Sequence, residues 1–152
     1  MNVIGYMRTS SGTNVGSEKD SGKRQLRAIK SFCKNKKYTL AETFYDENIS
    51  GSSAIKDRPQ LLSAIAYCNE NNIDTIVVEN SDRFSRSLIN QEMMLLTLQT
   101  KNIKVICCNN DKFSSGDESD VMFRQIGGAF NQYNKDLLVS RLSQSRNNKK
   151  KE

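Results

Sequence analysis

Hydroxyl, guanidinium and carboxylate side chains follow two short apolar runs of this 152-residue sequence. The run VIGYM leads into Arg8 and Ser10, and the run IVVEN leads into Asp82, Arg83 and Arg86. Clustered arginines repel one another unless an anion lies among them, and guanidinium forks match phosphate oxygens bidentately. A serine in such a cluster has the groups needed for phosphoryl transfer, in which catalysis is mostly positioning and charge neutralisation. These residue types therefore favour chemistry on a phosphate, and that chemistry needs no metal.

The sequence contains no histidine. This excludes a Ser-His-Asp triad and removes the commonest general base and the commonest metal ligand. Activation of the Ser10 hydroxyl would then come from the arginine cluster or from a nearby carboxylate. Each residue also has an ordinary explanation, because a serine after a strand is usually a turn residue and a DRxxR segment is usually a solvated helix start. The functional interpretation depends on all of them lying at corresponding strand ends.

The spacing of these residues predicts that they converge. A period of two along the first run places Tyr6, Arg8 and Ser10 on one side of a strand. A helical turn after the second run would bring Arg83 and Arg86, three residues apart, onto one face. Two further candidates for the same edge lie between the runs, Asp46 and Arg58. We therefore expect at least three arginines, one or two aspartates and a serine at the carboxyl edge of a sheet, where α/β proteins place ligands.

Regular alternation of apolar runs and amphipathic segments must position this edge. Helical spacing is found in residues 20–35, 61–68 and 88–98, and apolar strand patterns in residues 3–7, 38–46, 74–80 and 104–108. This order predicts an α/β domain with a mostly parallel sheet of four to five strands flanked by helices. Asp57 is the expected N-cap of the second helix, with Pro59 in its first turn.

A long amphipathic segment closes the sequence. From about residue 120 to residue 145 one apolar stripe continues, formed by Met122, Ile126, Ala129, Phe130, Tyr133, Leu137, Leu138 and Leu142. Its length of about 25 residues exceeds that of an ordinary globular helix. The stripe either contacts another subunit or lies across its own domain. The polar and basic residues 147–152 are expected to form a disordered tail.

Composition sets further bounds. A chain of 152 residues is most simply one domain, with no run of the length of a membrane span and no apolar stretch typical of a signal peptide. The four cysteines show no CxxC spacing, which favours small buried hydrophobes in a reducing cytosol over a disulfide or a metal site. The formal net charge of +6 permits a polyanionic partner without requiring one.

At its chemical residues the sequence resembles the serine site-specific recombinases, the resolvase and invertase family. GYMRTSS resembles the strand-end motif of that family, which carries the nucleophile at Ser10 and not at Ser11. Further family motifs are matched in order at Gln25, Asp46–Ser50–Gly51, Arg58–Pro59–Leu61 and residues 82–87. The resemblance covers about residues 2–145.

The resemblance implies roles for these residues. Ser10 would attack a DNA phosphodiester and form a 5′-phosphoserine linkage, leaving a free 3′-hydroxyl. The scissile phosphate would be bound by Arg8, Arg83 and Arg86, with Arg58 assisting. Asp82 would help proton transfer to the leaving oxygen or orient the arginines. Supporting roles would fall to Tyr6, Gln25, Asp46 and Ser50. Rejoining would need no ATP, no cofactor and no metal.

The resemblance also implies the organisation of the chain and its partners. Residues 1–118 would form a resolvase-like catalytic core of flavodoxin-like topology, and residues 119–146 a helix that dimerises and crosses double-stranded DNA. That helix would act through Phe130, Tyr133, Leu137, Lys135 and Arg141. The implied protein is a homodimer that forms a tetramer in the active synapse, in the cytoplasm with the nucleoid and not at a membrane.

Two departures from the family pattern leave alternatives open. Asn134–Lys135 stands where the family commonly has a Glu-Arg pair, and no DNA-reading region follows Ser145. The chain is thus either the catalytic domain of a longer protein or a naturally short member. One alternative function is a non-catalytic recombinase-like partner that dimerises or binds DNA without cutting. Another is a flavodoxin-like phosphate or nucleotide binder, although the glycines of residues 10–22 only weakly resemble a phosphate loop.

Overall fold

The computed structural model describes residues 1–10, 21–109 and 118–149. Four strands form one sheet, in which each neighbouring pair is parallel and the spatial order is β2-β1-β3-β4. The strands are β1 (Asn2–Arg8), β2 (Thr39–Asp46), β3 (Thr75–Val78) and β4 (Lys104–Cys107). The helices are α1 (Ser21–Lys36), α2 (Pro59–Asn71), α3 (Ser81–Phe84), α4 (Leu88–Thr100) and α5 (Glu118–Lys149). The predicted α/β domain with a parallel sheet is therefore confirmed, with four strands in these ranges.

The central strand β1 is covered on both faces. Ile4 and Tyr6 pack in a cluster with residues of α2 and α4, whereas Val3 and Met7 pack with residues of α1. This alternation is the period of two that a strand buried on both sides requires. It places Arg8, the last residue of the strand, on the same face as Tyr6.

Helices α1, α2 and α4 end in the same way. The first residue after α1 and α2, and the second residue after α4, has a left-handed backbone: Lys37 (φ 58°), Asn72 (φ 53°) and Asn102 (φ 57°). The next N–H then donates to the carbonyl five residues earlier: Tyr38 to Cys33 at 2.8 Å, Ile73 to Cys68 at 2.9 Å and Ile103 to Leu98 at 2.9 Å. These are the bonds of a Schellman motif, in which an apolar residue after the turn packs back on the helix. Each following strand begins within three residues of its turn, so the connections at the amino edge of the sheet are short.

The start of α2 differs from the sequence prediction. Asp57 lies in a short 3-10 turn, Ile55–Asp57, and Arg58 occupies the N-cap position without a capping side-chain bond. The prediction of Asp57 as the N-cap is therefore wrong, and that of Pro59 in the first turn is confirmed. Asp46, at the end of β2, caps the helix instead, because its carboxylate accepts the N–H groups of the second and third helical residues at 3.0 and 3.1 Å.

Residues 1–115 and 116–152 form two compact units. The second contains α5, a helix of 32 residues that continues to Lys149 and so extends into the segment predicted as a tail. Residues 150–152 lie outside the described ranges. Among the helices described, none is both long enough and apolar enough to cross a membrane.

The four cysteines are free thiols and lie in the first unit, residues 1–115. Cys33, Cys68 and Cys107 are buried, as expected of small core residues, and Cys108 is half-buried. Burial raises the pKa of Cys107 to about 12 and that of Cys68 to about 11, so both are protonated at neutral pH.

Candidate active site at the carboxyl edge of the sheet

Thr9, the residue before Ser10, is fixed by three hydrogen bonds. The Thr9 N–H donates to the Asp46 carbonyl at 3.1 Å, and the Thr9 carbonyl accepts the Ile49 N–H at 3.0 Å. The Thr9 hydroxyl shares a 2.9 Å hydrogen bond with the Tyr45 hydroxyl. Ser10 itself is half-buried. The predicted nucleophile therefore leaves the sheet from a fixed backbone position and retains solvent access.

Gln25 replaces a missing strand partner of Arg8. Strand β3 pairs with β1 only at Ile4 and Gly5, so the Arg8 backbone has no strand partner on that side. The Gln25 side chain accepts the Arg8 N–H at 3.2 Å and donates to the Arg8 carbonyl at 3.1 Å. Gln25, on α1, is fully buried and so holds the end of β1 at its last residue.

Arg8 is a buried cation bound by backbone carbonyls. Its Nε, Nη1 and Nη2 donate to the carbonyls of Arg83 (3.1 Å), Ile49 (2.7 Å) and Asp82 (2.9 Å). Burial, followed by the positive charge of Arg58, lowers the pKa of Arg8 to about 10, so it is still charged at neutral pH. Three of the five guanidinium N–H groups are used in this way, since each of these bonds needs one donor.

The Arg58 guanidinium is likewise bound by three backbone carbonyls. Its Nε donates to the Ser53 carbonyl at 3.1 Å, its Nη2 to the Gly51 carbonyl at 3.1 Å and its Nη1 to the Phe84 carbonyl. Like Arg8, it is 0 % exposed. Together the two arginines bind alternate carbonyls of residues 49–53 and the last carbonyls of α3, which have no partner within a helix. They fasten the loop after β2 to the turn after β3.

Gly51 is the point at which these two segments touch. Its carbonyl accepts the Arg58 guanidinium, the Ser85 hydroxyl at 3.1 Å and the Arg86 N–H at 3.0 Å. A Cβ on Gly51 would lie 2.7 Å from Arg86 Cγ and 2.9 Å from Arg8 Nη2. A side chain at this position would therefore require the side chains of Arg86 and Arg8 to shift. In the sequence, the only indication of this contact at Gly51 is its position within the segment ENISGSS.

Tyr6 and Asp46 form a buried hydrogen-bonded pair that supports the candidate site. The Tyr6 hydroxyl donates to Asp46 Oδ2 at 2.9 Å, and both residues are buried. Burial raises the pKa of Tyr6 above its ordinary value, and the Asp46 charge raises it further. Because Asp46 also caps α2, this pair ties β1 and β2 to that helix. Ser50, the fourth predicted supporting residue, is exposed, and its hydroxyl accepts the Ser52 N–H at 3.2 Å.

The segment after β3 does not form the predicted helical face. α3 has a single turn, opened by the Asn80 side chain, which accepts the Arg83 N–H at 3.1 Å. Ser85 has an extended backbone (φ −157°, ψ 143°) and ends the helix. The prediction that Arg83 and Arg86 share one helix face is therefore wrong. Asp82 and Arg86 are exposed at this edge.

Glu79 orients Arg83, a contact that the residue pattern did not indicate. The Glu79 carboxylate lies 3.4 Å from Arg83 Nε, and Arg24 on α1 binds it at 3.0 and 3.3 Å. The Glu79 side chain is 15 % exposed and that of Arg83 is 19 % exposed. The only signal in the sequence is an acid directly after the apolar strand β3. The positive charges of Arg86 and Arg83 each contribute to lowering the pKa of Arg8.

The residues predicted to act from the last helix lie in the second unit, residues 116–152. Tyr133 is 64 % exposed and Leu137 is 37 % exposed, and both lie on α5. Lys135 and Arg141 are exposed there as well. The side chain of Phe130 and all of Ser11 lie outside the described residues.

Known proteins match this chain in sequence and in structure. The family model "Resolvase, N terminal domain" matches residues 3–152. The N-terminal catalytic domain of TP901-1 integrase is 25% identical, with a TM-score of 0.63 over 90% of this chain and 98% of that chain. A resolvase family site-specific recombinase from Streptococcus pneumoniae has a TM-score of 0.68 at 18% identity, over 93% of this chain and 94% of that chain, a likeness of fold. No curated protein sequence matches significantly.

Proposed function

Because this chain belongs to the resolvase family, as a serine recombinase catalytic domain, we propose that it cuts and rejoins double-stranded DNA with Ser10 as the nucleophile. The observation that carries the proposal is the position of Ser10. It follows the fixed Arg8–Thr9 backbone, at the edge where four arginines converge and where Asp82 is exposed.

The proposed reaction is a phosphoryl transfer. The Ser10 oxygen attacks phosphorus, the new bond joins it to the 5′-phosphate, and the bond from phosphorus to the 3′ oxygen breaks. The proton lost by Ser10 and the proton gained by the 3′ oxygen balance. Attack of a 3′-hydroxyl on the phosphoserine reverses the step and rejoins a strand. The bond energy is conserved, so ATP is not consumed.

The exposure of the arginines supports a division of roles. Arg86 is exposed and Arg83 is partly exposed, so both can bind phosphate oxygens directly. Arg8 has two N–H groups beyond its carbonyl bonds, and it precedes Ser10 by two residues in the sequence. Arg58 acts by fastening the two loops that carry the site. Asp82 is placed for proton transfer to the leaving oxygen.

The alternative function is a non-catalytic partner that binds DNA or dimerises without cutting. One observation favours it: the guanidinium groups of Arg8 and Arg58 are each bonded to three backbone carbonyls. For the active form we infer a homodimer that pairs into a tetramer, working on DNA in the cytoplasm. The exposed apolar residues of α5 support the dimer.

A suicide DNA substrate tests the nucleophile. The chain is fused to a DNA-binding domain of known site, and a nicked duplex carries that site beside a library of central sequences. A covalent protein–DNA adduct is expected with the native residues and not with Ser10→Ala. The matched variant Ser11→Ala should retain most adduct. Arg83→Ala and Arg86→Ala should lower its rate by about 10²–10³-fold, as losses of a preorganised charge do.

Three results would contradict the proposal. These are an adduct that persists in Ser10→Ala, equal loss of adduct in Ser10→Ala and Ser11→Ala, and a reaction that EDTA abolishes. Failure of every variant and of the native chain to form adduct on any central sequence would favour the non-catalytic alternative.

A further inference from the structure

Helix α1 carries an unusual charge. Its 16 residues include six lysines and arginines and no aspartate or glutamate. Those six positive charges equal the formal net charge of the whole chain, +6, so the rest of the sequence is balanced. Helix α1 therefore carries by itself a positive charge as large as the net charge of the whole chain.

Four of these residues form a stripe. Lys23, Arg27, Lys30 and Lys34 recur at intervals of four, three and four, which at 3.6 residues per turn places them within an arc of about 60°. All four are exposed, and the helix buries a different face, through Ser21, Gln25, Ile29 and Cys33. The stripe extends over about 16 Å, because an α-helix rises about 1.5 Å per residue.

Within residues 1–10, 21–109 and 118–149, the charges of the stripe are not offset by ion pairs. Among the described residues, no acid forms an ion pair with Lys23, Arg27, Lys30 or Lys34. Like charges four residues apart destabilise a helix, and a cation in the first turn opposes the helix dipole. Arg24, which is not on the stripe, is in contrast paired with Glu79. The stripe thus has the charge and the exposure of a surface that is neutralised by an external polyanion.

The stripe begins at the candidate active site. α1 follows β1, and its first turns lie at the carboxyl edge, where Gln25 binds the Arg8 backbone and Arg24 binds Glu79 beside Arg83. Lys34 lies three turns further along the helix. A polyanion that reaches Ser10 can therefore continue onto α1.

We propose that the stripe Lys23–Arg27–Lys30–Lys34 is a second DNA-binding surface, which contacts the phosphate backbone of double-stranded DNA outside the phosphate that Ser10 attacks. The choice of DNA as the polyanion rests on the proposed function. A length of about 16 Å along a duplex passes about five phosphates of one strand, enough for each of the four side chains. Contacts of this kind carry no sequence information, so the surface adds affinity and not specificity.

Salt-dependent binding of the whole chain to a random-sequence duplex of about 30 base pairs tests the surface. The triple variant R27Q/K30Q/K34Q is compared with K56Q/K101Q/K104Q, which removes the same charge from exposed positions elsewhere. Each phosphate contact contributes about 0.9 to the slope of log K against log salt. The stripe variant should therefore lower the slope by about 2–3 and weaken binding at least tenfold, and the control variant should change the slope by less than 1.

Equal slopes for the two triple variants would overturn the proposal, as would a loss in the stripe variant that is confined to RNA or to anionic lipid vesicles. Should the triple variant fail to fold, the single variants R27Q, K30Q and K34Q decide, each with an expected slope change of about 0.9. The charge-preserving variant R27K/K30R/K34R should bind as the native chain does. If Ser10 forms the adduct and the stripe variant binds DNA as the native chain does, only this inference is refuted. If the stripe variant loses DNA binding and no adduct forms with the native chain, only the proposed catalysis is refuted.

Discussion

Tyr6 shows how one buried hydroxyl depends on its neighbours. It is 0 % exposed and donates to Asp46, which in turn accepts two N–H groups of α2. A phenolate at this position would lose its solvation and lie beside a carboxylate, which is why the pKa of Tyr6 is raised. The hydroxyl is therefore a permanent donor that keeps the Asp46 carboxylate in place.

This raised pKa predicts a dependence of stability on alkaline pH. An unfolded tyrosine loses its proton near pH 10, whereas the folded chain keeps the Tyr6 proton above that value. The contribution is therefore complete below pH 10 and is lost as the pH rises above it, by up to about 1.4 kcal/mol per pH unit. Tyr6→Phe should flatten the alkaline fall in the free energy of unfolding and cost about 1–2 kcal/mol at neutral pH.

Urea unfolding between pH 8 and pH 11 measures both effects. Tyr133→Phe is the matched control, because Tyr133 is 64 % exposed. Alkaline slopes that are the same in Tyr6→Phe and in the native chain would show that Tyr6 does not hold its proton.

At the scale of elements, two arginines fasten the loop after β2 to the turn after β3. A planar fork with several donors can bind three carbonyls at once, whereas a lysine ammonium is a point charge on a flexible stem. Arg58→Lys should therefore leave at least one buried carbonyl without its donor and lower the free energy of unfolding by about 2–4 kcal/mol.

Arg86→Lys provides the comparison, because the Arg86 side chain is exposed at the same edge. It should change stability by less than about 0.5 kcal/mol. Equal urea midpoints for the two variants would contradict the fastening role of Arg58.

The sequence predicted the elements better than the contacts between them. Strands and helices followed from apolar spacing, because burial on a parallel sheet imposes those periods directly. The N-cap of α2 could not be read locally, since the capping carboxylate of Asp46 comes from another strand. The end of α3 at Ser85 likewise depends on a bond from its hydroxyl to the Gly51 carbonyl, 34 residues away in sequence.

The candidate site shows the same difference between predictable elements and unpredictable contacts. The order and spacing of Arg8, Ser10 and Arg83 predicted convergence at one sheet edge. The partners that set the orientation of the arginines are carbonyl groups and Glu79, which no side-chain motif specifies. Spacing indicates which residues meet, and only the folded backbone determines which donors remain for a phosphate.

For the whole molecule, the exposed apolar residues of α5 predict self-association. Leu138, Val139 and Leu142 are each more than half exposed, as is Tyr133. Apolar surface of this extent on one helix is typical of an interface. The chain should therefore sediment as a dimer at tens of micromolar, and L138D/L142D should sediment as a monomer of the same helical content. A native chain that remains monomeric at these concentrations would refute the interface.

The order of strands in the sheet has a consequence for synthesis on the ribosome. β1 leaves the ribosome first, yet Arg8 is held by the Arg83 carbonyl, 75 residues later in the sequence. At about 5–20 residues per second, translation of that interval takes about 4–15 s. During this time the serine-bearing segment has no arginine cluster beside it and Arg8 has no carbonyls to bind. On the proposed function, a nascent chain that lacks the turn beyond β3 therefore cannot cut DNA, and it becomes competent only after that turn has been made.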